Sequence, residues 1–223
     1  MSNAQADALL DNPFTADAFR ARVLHRFTRR ADVIAATGGD NALNPRFEKD
    51  LAERTFRDAA VMIPVIDRGD HATVLLTQRT DHLSTHKGQI AFPGGKMDAG
   101  ETAIDAAVRE TGEEVGIAAD DLDVLGVFGD YLSGSGFRIA PVVAMVRSGF
   151  SLNLNEDEVA AAFEVPLSFL MTAENHQIES LEWKNIERYF YAMPWQDDEA
   201  GVERRIWGVT AGIIRMVHER LYG

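Results

Sequence analysis

Apolar residues recur along the chain at two spacings, and the change from one spacing to the other predicts the order of elements. Thr15 stands where a helix cap would, with Phe19, Val23 and Phe27 on one face, so a helix is expected from there to about Arg30. A polar, glycine-containing link, ATGGDNALNP, follows. The runs DAAVMIPVI and ATVLLTQR read as two strands joined by a turn at DRGDH. QIAFPGG is a short extended piece ending in a turn. Beyond it, Ile104, Ala107, Val108, Thr111 and Val115 share one side of a helix at about 100° per residue and should bury against a sheet.

Strands are expected near DVLGVFGD and RIAPVVAMV, and a short helical or irregular segment at EDEVAAAFEVPLSFL. SLEWKN and ERYFYAMPW read as a late hairpin. The end, GVTAGIIRMVHERLYG, is an amphipathic helix with Ile213, Ile214, Val217 and Leu221 inward. Strands with flanking helices imply a mixed sheet between helices, and no linker splits the chain convincingly.

Composition narrows the function. At 223 residues and 46% apolar, the chain suits one sizeable domain with a packed core. A net charge of −13 argues against nucleic acid or an anionic membrane as partners. An anionic substrate would therefore need local cations. The absence of cysteine removes disulfides, thiol nucleophiles and thiolate metal sites, and fits a cytoplasmic location. No stretch approaches the roughly 20 apolar residues of a membrane span. The start, MSNAQADALLDNPF, lacks the basic head and apolar core of a signal peptide.

The run GGKMDAGETAIDAAVRETGEEVGI is the informative one. Glu110, Glu113 and Glu114 fall together on the helix at i, i+3, i+4, where like charges repel. Glu101 sits just before the helix, after a turn permitted by Gly94, Gly95 and Gly100, and Gly116 suits the helix end. A solvated acidic face is the ordinary explanation for such a cluster. The ordered glycines and Arg109 beside Glu110 favour a cation instead, and several hard oxygens suit Mg²⁺ or Mn²⁺ rather than zinc.

These residues resemble the Nudix box: a glycine, five residues, Glu, seven residues, Arg-Glu, an aliphatic, any residue, Glu-Glu, any residue, Gly, an aliphatic. Gly95, Glu101, Arg109, Glu110, Glu113, Glu114, Gly116 and Ile117 match in spacing; Thr111 replaces an aliphatic residue and should still pack. The resemblance implies an α/β/α sandwich with a mixed central sheet over residues 46–223, preceded by a helical extension over residues 1–45. It also implies hydrolysis of a nucleoside diphosphate linked to another group. By position, Glu110 and Glu114 would be the main metal ligands, Glu113 a direct or water-mediated one, and the Gly95 carbonyl a further donor. Arg109 would orient the glutamates, and Glu101 would bind another metal or support the loop. Glu158 is the preferred candidate for the general base over Glu156; the ordinary alternative is a helix-start acid.

The stretch LLTQRTDHLSTHKGQIAFPGG is similar to the coenzyme A pyrophosphatase branch, through Leu75, Leu76, Thr77 and Arg79, then His86, Gly88 and Gln89, then Phe92 to Gly95. Ser84 stands where a basic residue is expected. Arg79, His86 and Gln89 are the candidate substrate contacts, against purely structural roles in the turn or beside the box. A 3′-phosphate would call for Arg79, Lys87 or Arg138. Phe137 and Trp207 are expected in the core, and the remaining histidines (His25, His71, His82, His176 and His218) are scattered. The GSG at Gly134 to Gly136 is too short for a phosphate loop. The partner implied is a small nucleotide of the CoA kind, with a homodimer left open. ADP-ribose, a dinucleotide polyphosphate, and a non-catalytic nucleotide-binding module remain the alternatives.

Overall fold

A computed structural model describes residues 12–28, 38–45, 54–80, 88–183 and 185–223. In chain order the elements are helix α1 (Ala16–Thr28), strands β1 (Gly38–Gly39), β2 (Arg57–Asp67), β3 (Ala72–Arg79), β4 (Ile90–Ala91) and β5 (Gly94–Lys96), and helix α2 (Ala103–Val115). Strands β6 (Leu122–Val127), β7 (Tyr131–Leu132), β8 (Phe137–Val146) and β9 (Val159–Pro166) follow, then the one-turn helix α3 (Leu167–Leu170). Strands β10 (Gln177–Trp183), β11 (Ile186–Asp197) and β12 (Val202–Trp207) and helix α4 (Val209–Leu221) come last among the described residues.

Among the described residues nine strands form one mixed sheet, with β2 and β8 parallel from Arg57 opposite Phe137 to Ile66 opposite Val146. β3 runs antiparallel to β2 and carries β9 on its other side. The period of two along β2 sorts its side chains onto both faces. Ala60, Met62 and Ile66 meet Ala106, Ala107 and Val115 of α2, whereas Ile63 and Val65 meet Phe19 and Val23 of α1 and Ile213, Ile214 and Val217 of α4. The result is the expected α/β/α sandwich. A separate antiparallel sheet, β10-β11-β12, stands beside it.

Several elements differ from expectation. EDEVAAAFEVP looks helical because of its acids and alanines, yet from Val159 it is the strand β9. Pairing with β3 and burial of Val159, Phe163 and Val165 override the local preference. On α2, Ile104 is 39% exposed and Val108 half-buried, while Ala106 and Glu114 join the buried face. Thr111 does pack: it is buried, and its hydroxyl donates to the Ala107 carbonyl at 2.6 Å, which disposes of its polar atom within the helix. The late hairpin gains a third strand, β12. The GGDNALN link is built into the fold, with β1 parallel to β7 and Asn44 bonded to both the amide and the carbonyl of Tyr189 in β11. Arg29 and Arg30 lie outside the described residues.

Candidate active site

Helix α2 is fixed at both ends. The Thr102 hydroxyl accepts from the Asp105 amide at 3.2 Å, and the Asp105 carboxylate accepts from the Thr102 amide at 3.0 Å, a reciprocal cap. Gly116 ends the helix in the left-handed region, φ 75°, which glycine adopts without strain. Opposite the helix, β5 pairs with β2, setting Gly95 against Ala60 and Gly94 against Val61. A β-carbon at Gly95 would overlap the Glu110 carboxylate, so glycine there lets the helix acid approach the strand.

Arg109 organises the acids. Its Nε and Nη2 donate to the two oxygens of Glu101 at 2.7 and 3.0 Å, and its Nη1 donates to Glu110 at 2.9 Å and Glu113 at 3.1 Å. Nη2 also reaches the Lys96 carbonyl at 3.1 Å. This planar fork suits paired carboxylates in a way an ammonium does not. The Arg109 guanidinium, with the Asp98 amide, holds the Glu101 carboxyl down near 2. Glu113 is the most exposed of the set, its side chain 58% accessible.

Glu110 and Glu114 differ from the other two. Burial raises both above the ordinary carboxylate range, Glu114 to about 7, against the opposing pull of Arg79 and the Gly94 amide on Glu114. Arg79 Nη1 lies 3.8 Å from Glu114 Oε1, and the buried Oε2 has no hydrogen-bond partner. The Asn155 amide donates to the Glu114 carbonyl at 3.0 Å and the Glu158 amide to the Asn155 carbonyl at 3.0 Å, so the loop entering β9 docks on the helix end. That docking brings the half-buried Glu158 into electrostatic range of both Glu110 and Glu114. Glu156 is exposed.

Beside Gly94 and Gly95 opens a cavity of about 930 Å³ between the main sheet and the β10-β11-β12 sheet. Arg79, Gln89 and Lys96 line its box end, and Phe137, Phe190, Trp207, Arg54 and Arg188 line the rest. Phe137 and Trp207 are therefore half-buried cavity walls rather than sealed core, because they flank a concave opening between two sheets.

The Nudix domain model matches residues 55–204. The chain belongs to the Nudix family. Relatives include the uncharacterized Nudix hydrolase NudL of Yersinia enterocolitica, 38% identical over 164 residues, covering 73% of this chain and 80% of that one. NudL of Yersinia pestis is 38% identical over 168 residues, covering 75% and 81%. Among solved structures, the Nudix hydrolase RenU of M. smegmatis is similar at 25% identity and TM-score 0.44 over 53% of this chain and 74% of that one. The Nudix domain of Shewanella oneidensis NrtR, complexed with ADP ribose, is similar at 17% identity and TM-score 0.40, over 56% and 84%.

Nudix hydrolases generally use divalent cations, and the donor chemistry here fits one. The unpartnered Oε2 of Glu114 and the half-buried Glu110 carboxylate, which lies against Gly95 and within electrostatic range of Glu114, are hard oxygen donors of the kind such a cation takes. Among the described residues no three acidic or histidine side chains are pre-arranged as a cation cage; the Arg109 guanidinium stands as counterion to Glu101, Glu110 and Glu113 instead.

Of the sequence candidates, Gly95, Glu101, Arg109, Glu110, Glu113, Glu114, Glu158 and Arg79 are brought together along α2, with Gln89 on the adjoining cavity wall. His86 and Lys87 lie outside the described residues. Arg138 bonds Asp58 at 2.6 Å and does not line the cavity. His176 and His218 are not scattered: their rings stack edge-on at 5.2 Å, because α4 packs beside the turn after α3. Sequence reasoning missed Arg54, Lys96, Arg188 and Phe190; they come from four separate segments, and only the pairing of strands brings them to one cavity.

Proposed function

We propose that the protein hydrolyses the diphosphate of coenzyme A or an acyl derivative, releasing 3′,5′-ADP and a 4′-phosphopantetheine product. The similarity of LLTQRT and HKGQIAFPGG to the coenzyme A pyrophosphatase branch motivates the choice. The observation that carries it is the cavity of about 930 Å³ opening on the box. Its aromatic walls suit a large organic substrate, and its arginines and lysine suit an anionic one.

Glu110, Glu114 and the Gly95 carbonyl would hold Mg²⁺ or Mn²⁺, with Glu113 adding a direct or water-mediated contact. The cation supplies neutralisation of the diphosphate oxygens and a lowered pKa for bound water. Arg109 keeps Glu110 and Glu113 oriented, and Glu101 in turn anchors Arg109. Glu158 takes the proton of the attacking water. A bond forms from the water oxygen to one phosphorus, the bond from that same phosphorus to the bridging oxygen breaks, and the leaving group departs with that oxygen as a phosphate monoester. Arg79 and Gln89, on the cavity wall next to the box, are substrate contacts, and the sequence similarity adds His86 to them. In this reading the hydrolase domain takes residues 46–223 and the stretch before it, residues 1–45, serves the same site, since Asp40 and Asn44 line the cavity. Work in the cytoplasm, where CoA is abundant, fits a chain with no cysteine and, among the described residues, no helix able to cross a membrane.

A panel of CoA, acetyl-CoA, dephospho-CoA, ADP-ribose, NADH and diadenosine polyphosphates at equal Mg²⁺, with products identified by mass spectrometry, tests the reading. CoA or its acyl derivative should give the highest kcat/KM. A tenfold preference for ADP-ribose or a dinucleotide would overturn the CoA assignment and leave the Nudix hydrolase.

A further inference from the structure

The cavity carries charge of the sign opposite to the chain. The whole chain is −13, yet the described lining residues include Arg54, Arg79, Lys96 and Arg188 against a single carboxylate, Asp40. Two of these cations stand well away from the box. Arg54 Nη1 donates to the Gly134 carbonyl at 2.7 Å, and Arg188 Nη1 lies 3.7 Å from where a Gly134 β-carbon would be. Both guanidinium groups thus converge on one tight turn between β7 and β8, although they come from segments more than a hundred residues apart.

Asp40, the one carboxylate among the described lining residues, is held by its own neighbours. Asp40 accepts the Tyr131 hydroxyl at 2.6 Å and the Gly134 amide at 2.7 Å. Two of the turn's amides are also committed, Gly134 to Asp40 and Gly136 to the Ser133 carbonyl. Among the described lining residues, Arg54 and Arg188 are the cations at this turn.

The register of β2 sets the separation from the box. Arg57 stands opposite Phe137 at the turn, and Ala60 stands opposite Gly95 at the glutamates. Three residues of strand are about 10 Å. The turn and the box therefore open on one cavity at neighbouring stretches of the same strand, within reach of a single nucleotide.

We infer that Arg54 and Arg188, at the Gly134 turn, form a site for a second anionic group of the substrate, a phosphate monoester carried on its ribose. The inference rests on the CoA reading and deepens it, since CoA carries such a group at its 3′ position, one ribose from the diphosphate. It moves the expected contact away from Arg138, which is paired with Asp58, and from Arg79, which belongs to the box.

Two measurements separate this site from the CoA reading. The first compares CoA with dephospho-CoA in wild type, Arg54→Gln, Arg188→Gln and the double variant. Wild type should favour CoA by roughly 10- to 100-fold in kcat/KM. The double variant should bring that ratio close to one, the loss falling on CoA. An unchanged ratio in soluble, folded variants, or an equal loss on both substrates, overturns the site. The second needs no variant and no turnover: calorimetric binding of 3′,5′-ADP and 5′-AMP to wild-type, metal-free protein. Tighter binding of 3′,5′-ADP is expected, and equal affinities overturn the site. If another diphosphate proves the better substrate while 3′,5′-ADP still binds tightly through Arg54 and Arg188, the site stands and the CoA reading falls.

Discussion

Gly95 and Glu110 occupy adjoining space: a β-carbon on the glycine would overlap the glutamate's carboxylate. Gly95→Ala should therefore push Glu110 away from the strand while β5 keeps its pairing with β2. A drop of about tenfold or more in kcat is expected, with a weaker apparent Mg²⁺ affinity. Steady-state kinetics across a Mg²⁺ titration would show it, and a variant as active as wild type at limiting Mg²⁺ would count against this packing.

Arg109 bonds Glu101, Glu110 and Glu113 through one planar group. Arg109→Lys keeps the charge but cannot span three carboxylates. Its kcat/KM should fall by about 10- to 100-fold, close to that of Arg109→Ala. Rescue by lysine to near wild-type activity would show that charge alone matters.

Glu114 gives a pH dependence with a definite sign. Its folded carboxyl sits at about 7, above the ordinary value of 4.5, because burial disfavours the ion. Between these values the folded chain binds more protons than the unfolded one, so stability falls as pH rises through that window. The full effect is about 3 kcal/mol. Metal-free protein should thus melt lower at pH 7.5 than at pH 5.5, and Glu114→Gln should reduce that difference. Calorimetric melts in chelator would check both, and a variant with an unaltered pH slope would remove Glu114 as the cause.

Much of the fold was legible because the period of each run matched its burial. Phe19 and Val23 in α1, and Ile213, Ile214 and Val217 in α4, are buried as their spacing requires. The box was legible because its acids and glycines lie within one continuous stretch. β9 was not, since the pairing partner that makes it a strand, β3, lies some eighty residues earlier and leaves no local mark. The cavity was hidden for the same reason. Arg54, Lys96 and Arg188 are ordinary surface cations in sequence, and only the β2–β5 pairing and the Asn44–Tyr189 bonds bring their segments together.

Glu158 and Glu156 are two residues apart but differ in surroundings. Glu158 is half-buried within range of Glu110 and Glu114, and Glu156 is exposed. Glu158→Gln should lower kcat by about 10² or more with KM little changed. Glu156→Gln should change kcat by less than about twofold. An effect of Glu158→Gln confined to KM or thermal stability would return it to a structural role.

The central claim, that buried box glutamates act through a divalent cation on a CoA diphosphate, is tested most directly by following 3′,5′-ADP formation from CoA by mass spectrometry. Wild type, Glu110→Gln and Glu114→Gln would be compared with Mg²⁺, after EDTA, and after Mg²⁺ or Mn²⁺ is restored. Chelation should abolish product formation and either metal should restore it in wild type, with each variant slower by about 10² or more while still folded. Full activity after exhaustive chelation, or in folded Glu114→Gln, would contradict the account.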